Sequence, residues 1–315
     1  MRGWRLGKLV KKLGVIGYNP GNGHPFSFSA IVNGYSDEGF ERAEWPVIHD
    51  YLRAKDTSEF GFGDVRVTHA WTQDPAITQK LCAASRIERA ADTPEQMISE
   101  VDGVLICRHD SETHVEYAMP FLKAGVPAYV DKPLSLVETE LTQFRPYLEN
   151  GMLMSCSGMR YAREIDDLRA SLSEYGEIRL IRGAVVLDWA KYGIHLVDAM
   201  LTLDIAEPVS VAALSAKHES MVVRFSDESI AQIDSLGDAT KNFKLEVYAS
   251  LRDSSHQLFD NFTAFRRTIG NFLRMCDTRE PPIAPDTVMT SMKILMAGIR
   301  SSAENREVRL DEFSV

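Results

Sequence analysis

Short, nearly unbroken apolar runs separated by helix-length stretches constrain this chain more than any other feature. Leu13–Gly17 (LGVIG), Gly103–Cys107 (GVLIC), Ala128–Val130 (AYV) and Met152–Cys156 lack the polar alternation of a half-solvated strand, and Val65–Thr72 (VRVTHAWT) is a β-branched and aromatic run that fits a second strand. Strands covered by helices on both faces read this way. Between them, Phe26–Asn33, Pro75–Ala84, Pro94–Glu100, Val115–Ala124 and Leu136–Tyr147 are helical in pattern, and Gly125 marks one helix end. Such alternation specifies an α/β fold built on a doubly wound parallel (Rossmann) sheet. Ala128–Val130 is expected as its fifth strand and Met152–Cys156 as its sixth. Beyond Cys156 the rhythm changes: Glu177–Val186, Val209–Lys217, Met221–Phe225, Ser229–Ser235 and Phe243–Leu251 read as strands with few helices between them. That run implies an α+β part with a mostly antiparallel open sheet, closed by helices at Asn261–Asp277 and Pro285–Asn305 and a last strand at Glu307–Leu310. A length of 315 residues accommodates two domains, since single cores stop growing at roughly 250–300 residues. The expected boundary is 1–150 and 151–315.

Thirty-five basic against 45 acidic residues give a net charge of −10, the opposite of the basic footprint that a nucleic-acid surface requires. No apolar run reaches the length of a membrane span. The start, MRGWRLGKLVKKLGVIG, is basic and then apolar, but its apolar part is too short for a secretory leader. The cytoplasm is the expected location. Cys82, Cys107, Cys156 and Cys276 form no CxxC pair, so neither a metal site nor a disulfide framework is expected.

Two stretches carry chemistry. In Ala128–Leu136 (AYVDKPLSL) a strand delivers Asp131, Lys132 and Pro133 in succession. Pro133 keeps Lys132 out of the helical region, and ligands of open α/β sheets bind beyond the carboxyl ends of the strands. A lysine held there points at a cleft, although an ordinary solvated Asp–Lys pair explains the same letters. In Trp189–Thr202, helical spacing puts Lys191, His195, Asp198 and Thr202 on one face among apolar neighbours. A polar stripe on an otherwise apolar helix either bonds internally or lines a cavity. Gly17, Gly21 and Gly23 lie between the first strand and its helix, where amides can approach a pyrophosphate, but they do not make G-x-G-x-x-G. The second strand ends in Trp71 and Thr72, without the acid that commonly holds the ribose hydroxyls.

Together LGVIG, VDGVLICRHDSETHVEYAMPFLKAGVPAYVDKPLSL, the GMRY segment Gly158–Tyr161 and YGIHLVD resemble, in order, the glucose-fructose oxidoreductase, inositol dehydrogenase and MocA (Gfo/Idh/MocA) family. The resemblance implies a dinucleotide-binding first domain and a second domain that binds substrate and whose open sheet joins subunits into a homodimer or homotetramer. It implies an NAD(P)-dependent dehydrogenase acting on a sugar, a sugar derivative or a cyclic polyol. By the same resemblance Lys132, His195 and, more loosely, Asp198 are the catalytic candidates, with Lys132 as acid/base; Lys191 joins them from its place on the stripe alone, to stabilise developing negative charge or bind an acidic group on the substrate. Gly17, Asn19, Gly21, Gly23, His24, Thr72, Arg108, His109, His114, Asp131 and Lys132 are the candidates for holding NAD or NADP. Lys191 stands where the family usually has aspartate. Thr72 in place of a ribose-binding acid tilts the cofactor toward NADP. Two other readings stay open: a lyase or glycoside hydrolase that oxidises transiently with bound NAD, and a non-catalytic ligand-binding relative.

Overall fold

A computed structural model describes residues 11–239 and 241–315. The basic residues 1–10, weighed above as a leader, lie outside that range. The chain forms two compact units, and both are discontinuous in sequence. The first takes residues up to Asp131 with Gln143–Ser155 and Phe265–Ala284, and the second takes Lys132–Thr142, Cys156–Ala264 and Pro285–Val315. The units therefore do not part at 150/151: the chain changes unit between Asp131 and Lys132.

In the first unit, β1 (Lys12–Ile16), β2 (Arg66–Trp71), β3 (Arg89–Ala90), β4 (Gly103–Ile106), β5 (Ala128–Val130) and β6 (Leu153–Met154) form a parallel sheet in the order β3-β2-β1-β4-β5-β6. The order reverses direction beside β1, which places a topological switch point at the end of that strand. Leu13, Val15, Ile16, Val104, Ile106, Ala128 and Val130 are wholly buried or nearly so, as the unbroken apolar runs require. β3 is two exposed residues, too short and too polar to stand out in the sequence. The stretch between the first helix (His24–Asn33) and β2 holds two helices, Asp37–Ala43 and Pro46–Arg53, and a 3-10 turn Thr57–Glu59. For the second, the sequence itself predicts a helix over Trp45–Ala54. Gly39 lets the first pack close: a Cβ there would stand 2.6 Å from the Ala83 carbonyl oxygen.

In the second unit, β7 (Ile178–Val185), β8 (Pro208–Leu214), β9 (Glu219–Phe225), β10 (Ile230–Ser235), β11 (Phe243–Ala249), β12 (Asp253–Gln257) and β13 (Val308–Arg309) form a sheet in the order β12-β11-β7-β10-β9-β8-β13. Its pairs are antiparallel except β7 with β10. Burial alternates along β10, where Ala231, Ile233 and Ser235 are buried and Ile230, Gln232 and Asp234 are half-buried. The sheet thus offers one face to a core. The helices Ile194–Met200 and Pro285–Glu304 pack on it. Among the described residues no helix is long and apolar enough to cross a membrane.

Candidate active site

In the first unit, β1 leads into Gly17, whose φ of +87° lies in the left-handed region, where glycine pays no steric penalty. A Cβ there would stand 2.3 Å from Cγ of Arg108. Arg108 faces the protein: its Nε donates to Asp110 Oδ1 at 2.9 Å and to Thr113 Oγ1 at 3.0 Å, its Nη1 donates to the Tyr18 carbonyl at 3.3 Å, and its Nη2 pairs with Asp110. Partial burial raises the Asp110 pKa, but the bond and charge of Arg108 outweigh it and hold the carboxyl below its ordinary value. His114 is fully buried, with Nε2 2.8 Å from the Arg108 carbonyl. Expected as a cofactor contact, it is a brace behind the turn after β4. The amide of His109 donates to Asn19 Oδ1 at 3.1 Å, tying that turn to the glycine-rich loop.

The three glycines differ in purpose. A Cβ on Gly23 would collide with Cδ1 of Ile48 at 2.3 Å, so its smallness admits the protein's own helix. Gly21 has a φ of +83° and no atom within 4 Å of where its Cβ would be. Open backbone at Gly21 and the N-terminus of the ten-residue helix His24–Asn33 together suit a dinucleotide phosphate. Thr72 does not suit the ribose. It is 2% exposed, and its Oγ1 donates to the Asp74 carbonyl at 2.7 Å and meets Thr78 Oγ1 at 2.8 Å. Its hydroxyl secures the start of the helix Pro75–Ala84 instead, which corrects the expectation placed on it.

Asp131, at the end of β5, is completely buried. Its Oδ2 accepts from Asn22 Nδ2 at 3.0 Å and lies 2.7 Å from Nδ1 of His24. A buried carboxylate requires such partners. The His24 ring stacks on Phe28 at 5.1 Å and meets Phe265 edge-on at 5.0 Å. Asn22, which also accepts from the His24 amide at 3.0 Å, was missed by sequence reasoning. Its only signal was a small polar residue between two glycines. Burial, and then the charge of Asp131, push the Cys107 thiol well above its ordinary pKa, making it a packing residue.

In the second unit, the peptide between Lys132 and Pro133 is cis. Lys132 is 4% exposed. Its Nζ donates to the Lys191 carbonyl at 3.3 Å and lies 4.8 Å from the centroid of the Tyr192 ring. That ring in turn meets the His195 ring at 5.2 Å, and Phe243 approaches His195 at 5.2 Å. Lys132 and His195 therefore share one aromatic neighbour. The Nδ1 of His195 lies 2.7 Å from Ser157 Oγ, and the Ser157 amide donates to Asp198 Oδ2 at 2.6 Å. Ser291 donates to Asp198 Oδ1 at 2.8 Å, and Arg160 Nη1 stands 4.0 Å away. Burial raises the Asp198 pKa against the opposing pull of Arg160 and of these hydrogen bonds.

The expected four-residue stripe does not form. Trp189–Gly193 is a π-helical turn and only Ile194–Met200 is α-helical. A π-turn carries its hydrogen bonds one residue further on, so the faces on either side of it fall out of register. His195 and Asp198 are buried while the Lys191 side chain is exposed. Thr202 donates to the Ala199 carbonyl at 2.6 Å and accepts from Arg169 Nε at 2.8 Å, which assigns it to the helix end. The π-turn is built from outside: the Asp188 carboxylate accepts from the Lys191 amide at 2.9 Å, Glu219 accepts from the Trp189 amide at 2.7 Å, and Trp189 Nε1 donates to the Leu295 carbonyl at 3.0 Å.

Residues 39–145 match the profile of the Gfo/Idh/MocA oxidoreductase family, described as an NAD-binding Rossmann fold. A protein of Amycolatopsis mediterranei, provisionally named as the oxidoreductase subunit of a UDP-kanosamine synthase, is 30% identical over 129 residues, which are 41% of this chain and 35% of that protein. The match thus spans about a third of that relative's length. Scyllo-inositol dehydrogenase of Lactobacillus casei with NAD(H) and scyllo-inositol superposes with a TM-score of 0.76 at 13% identity, over 96% of this chain and 100% of that one. Myo-inositol 2-dehydrogenase of Lactobacillus plantarum gives 0.76 at 15% identity, over 96% and 99%. An NAD complex of GenD2 from gentamicin A biosynthesis gives 0.72 at 17% identity, over 98% and 99%. The parallel sheet with its switch point, the mixed second sheet and the family profile lead to one conclusion: residues 39–145 are similar to the NAD-binding Rossmann fold of the Gfo/Idh/MocA oxidoreductase family, and the chain shares its fold with the dehydrogenases it superposes on.

Proposed function

We propose that this protein is an NAD- or NADP-dependent dehydrogenase that oxidises a carbinol of a sugar, a sugar derivative or a cyclic polyol, or reduces the matching carbonyl. The observation that carries the reading is the meeting of Lys132 and His195 at Tyr192. The Lys132 amine directly follows Asp131, which fastens the glycine-rich loop through Asn22 and His24. Inositol dehydrogenases and a UDP-kanosamine synthase subunit among the similar proteins support the substrate class.

A bound nicotinamide supplies the hydride acceptor. The chain supplies the rest. As hydride leaves carbon, the hydroxyl must lose its proton, and Lys132 takes it as general base. The ammonium so formed is favoured by the Lys191 carbonyl and by the Tyr192 ring, a cation–π arrangement. His195, held by Ser157, orients the substrate hydroxyl. Asp198 is a positioning residue: it holds the Ser157 amide. Gly17, Asn19, Gly21, Gly23, His24, His109 and Asp131 would hold or shape the dinucleotide site, Gly21 by open backbone and the others through the contacts described.

Thermal-shift titration with NAD and NADP tests the first half of the reading, since a ligand of the native state raises its apparent stability. Nicotinamide absorbance followed with inositols and hexoses tests the second. Absence of stabilisation by either dinucleotide would overturn both.

A further inference from the structure

We propose that Lys191 is a specificity residue that binds an anionic group on the substrate, so that the preferred substrate is a sugar acid or sugar phosphate rather than a neutral polyol. This rests on the dehydrogenase reading and deepens it.

The main chain of Lys191 is fixed at both ends of its residue. The Asp188 carboxylate accepts from its amide at 2.9 Å, and its carbonyl accepts from the Lys132 amine at 3.3 Å. The Lys191 side chain therefore begins within one hydrogen bond of the candidate acid/base. The π-turn sets it off the buried face of His195 and Asp198 and leaves it exposed. Among the described residues no carboxylate pairs with its amine. The nearby acids are committed elsewhere: Asp188 caps the turn, Glu219 accepts from the Trp189 amide, and both oxygens of Asp198 accept hydrogen bonds from Ser157 and Ser291.

An exposed cation beginning beside the reacting group is suited to a charge-assisted bond with a carboxylate or phosphate. A neutral hydroxyl offers it no charge to neutralise. Lysine acts there as a flexible point charge and does not impose the bidentate geometry of arginine. It thus accepts either anion.

The test uses the full chain saturated with whichever dinucleotide stabilises it. Affinities for glucuronate, glucose 6-phosphate, UDP-glucose, glucose and myo-inositol are measured by titration, and turnover by nicotinamide absorbance. At least one of the three anions is expected to bind at least tenfold more tightly than the two neutral compounds, and which anion does so separates carboxylate from phosphate recognition. Lys191→Gln should collapse that ratio by tenfold or more, and Lys191→Arg should keep most of it. High salt should weaken anion binding selectively. Equal affinity for anions and neutral compounds, or a ratio untouched by Lys191→Gln, overturns the proposal. Failure of the dehydrogenase reading is distinct: it would appear earlier, as no dinucleotide binding at all.

Discussion

The hydroxyl of Ser157 lies 2.7 Å from Nδ1 of His195 and holds the imidazole ring at that nitrogen. Ser157 Oγ already accepts from the Met159 amide at 3.1 Å. Its one proton and its second lone pair serve either tautomer of a neutral ring, and donation to Nδ1 goes with a ring proton on Nε2. Ser157→Ala removes this constraint while keeping the amide that serves Asp198. Turnover is expected to fall about 10²-fold, the scale of a small misplacement of a reacting group. The pH profile of kcat/KM should move with it. A fall in stability with an unchanged profile would assign Ser157 a purely structural role.

Asp198 sets a second expectation, for stability against pH. Its folded pKa is raised above the ordinary 3.8, chiefly by burial. The native state therefore holds the proton more tightly than the unfolded chain, and this contribution is full below about pH 4 and is lost as pH rises through the folded pKa. Asp198→Asn cannot titrate. Denaturant midpoints of the two proteins should draw together, or cross in favour of the variant, as pH rises from 4 toward 7. A gap that widens over that window would contradict the assignment.

His24→Phe keeps an aromatic ring against Phe28 and Phe265 but takes one hydrogen-bond partner from Asp131. Leaving a buried polar group short of a partner costs about 1–3 kcal/mol. Chemical denaturation should register that loss, and dinucleotide affinity should drop because the same carboxylate fastens the glycine-rich loop. Unchanged values for both would mean that the His24–Asp131 contact is incidental.

Gly298 sits within the helix Pro285–Glu304, where alanine is ordinarily the better helix former. A Cβ at Gly298 would stand 2.4 Å from Nε1 of Trp189, the indole that anchors the π-turn. Gly298→Ala is therefore expected to destabilise, by about 1–3 kcal/mol as overpacking usually does. Thermal unfolding checks the sign, and a rise in Tm would refute the close contact.

Strands and long helices were legible because burial leaves its mark on composition. Leu13–Gly17, Val65–Thr72 and Gly103–Cys107 fall on β1, β2 and β4 within a residue or so, and Pro75–Ala84 matches its helix end to end. Short elements that lean on tertiary contact were not legible. β3 and β12 are short and mostly polar, and the helix Asp37–Ala43 depends on Gly39 packing against residues far along the chain. At the site, Lys132 could be read from its strand and proline, and His195 from its helix. The π-turn could not, because helical spacing assumes a uniform period and the cause lies in Asp188, Glu219 and Leu295. Thr72 and His114 misled for a related reason: a polar residue at a strand end serves the protein's own turns as readily as it serves a ligand.

The central claim is that the Lys132 amine moves the substrate proton. Lys132→Met keeps the bulk of the side chain and removes the titrating group. With the dinucleotide still binding, by thermal shift, nicotinamide reduction on the best substrate should fall by about 10²–10⁴, the usual contribution of a general acid or base. Full turnover by Lys132→Met would contradict the account.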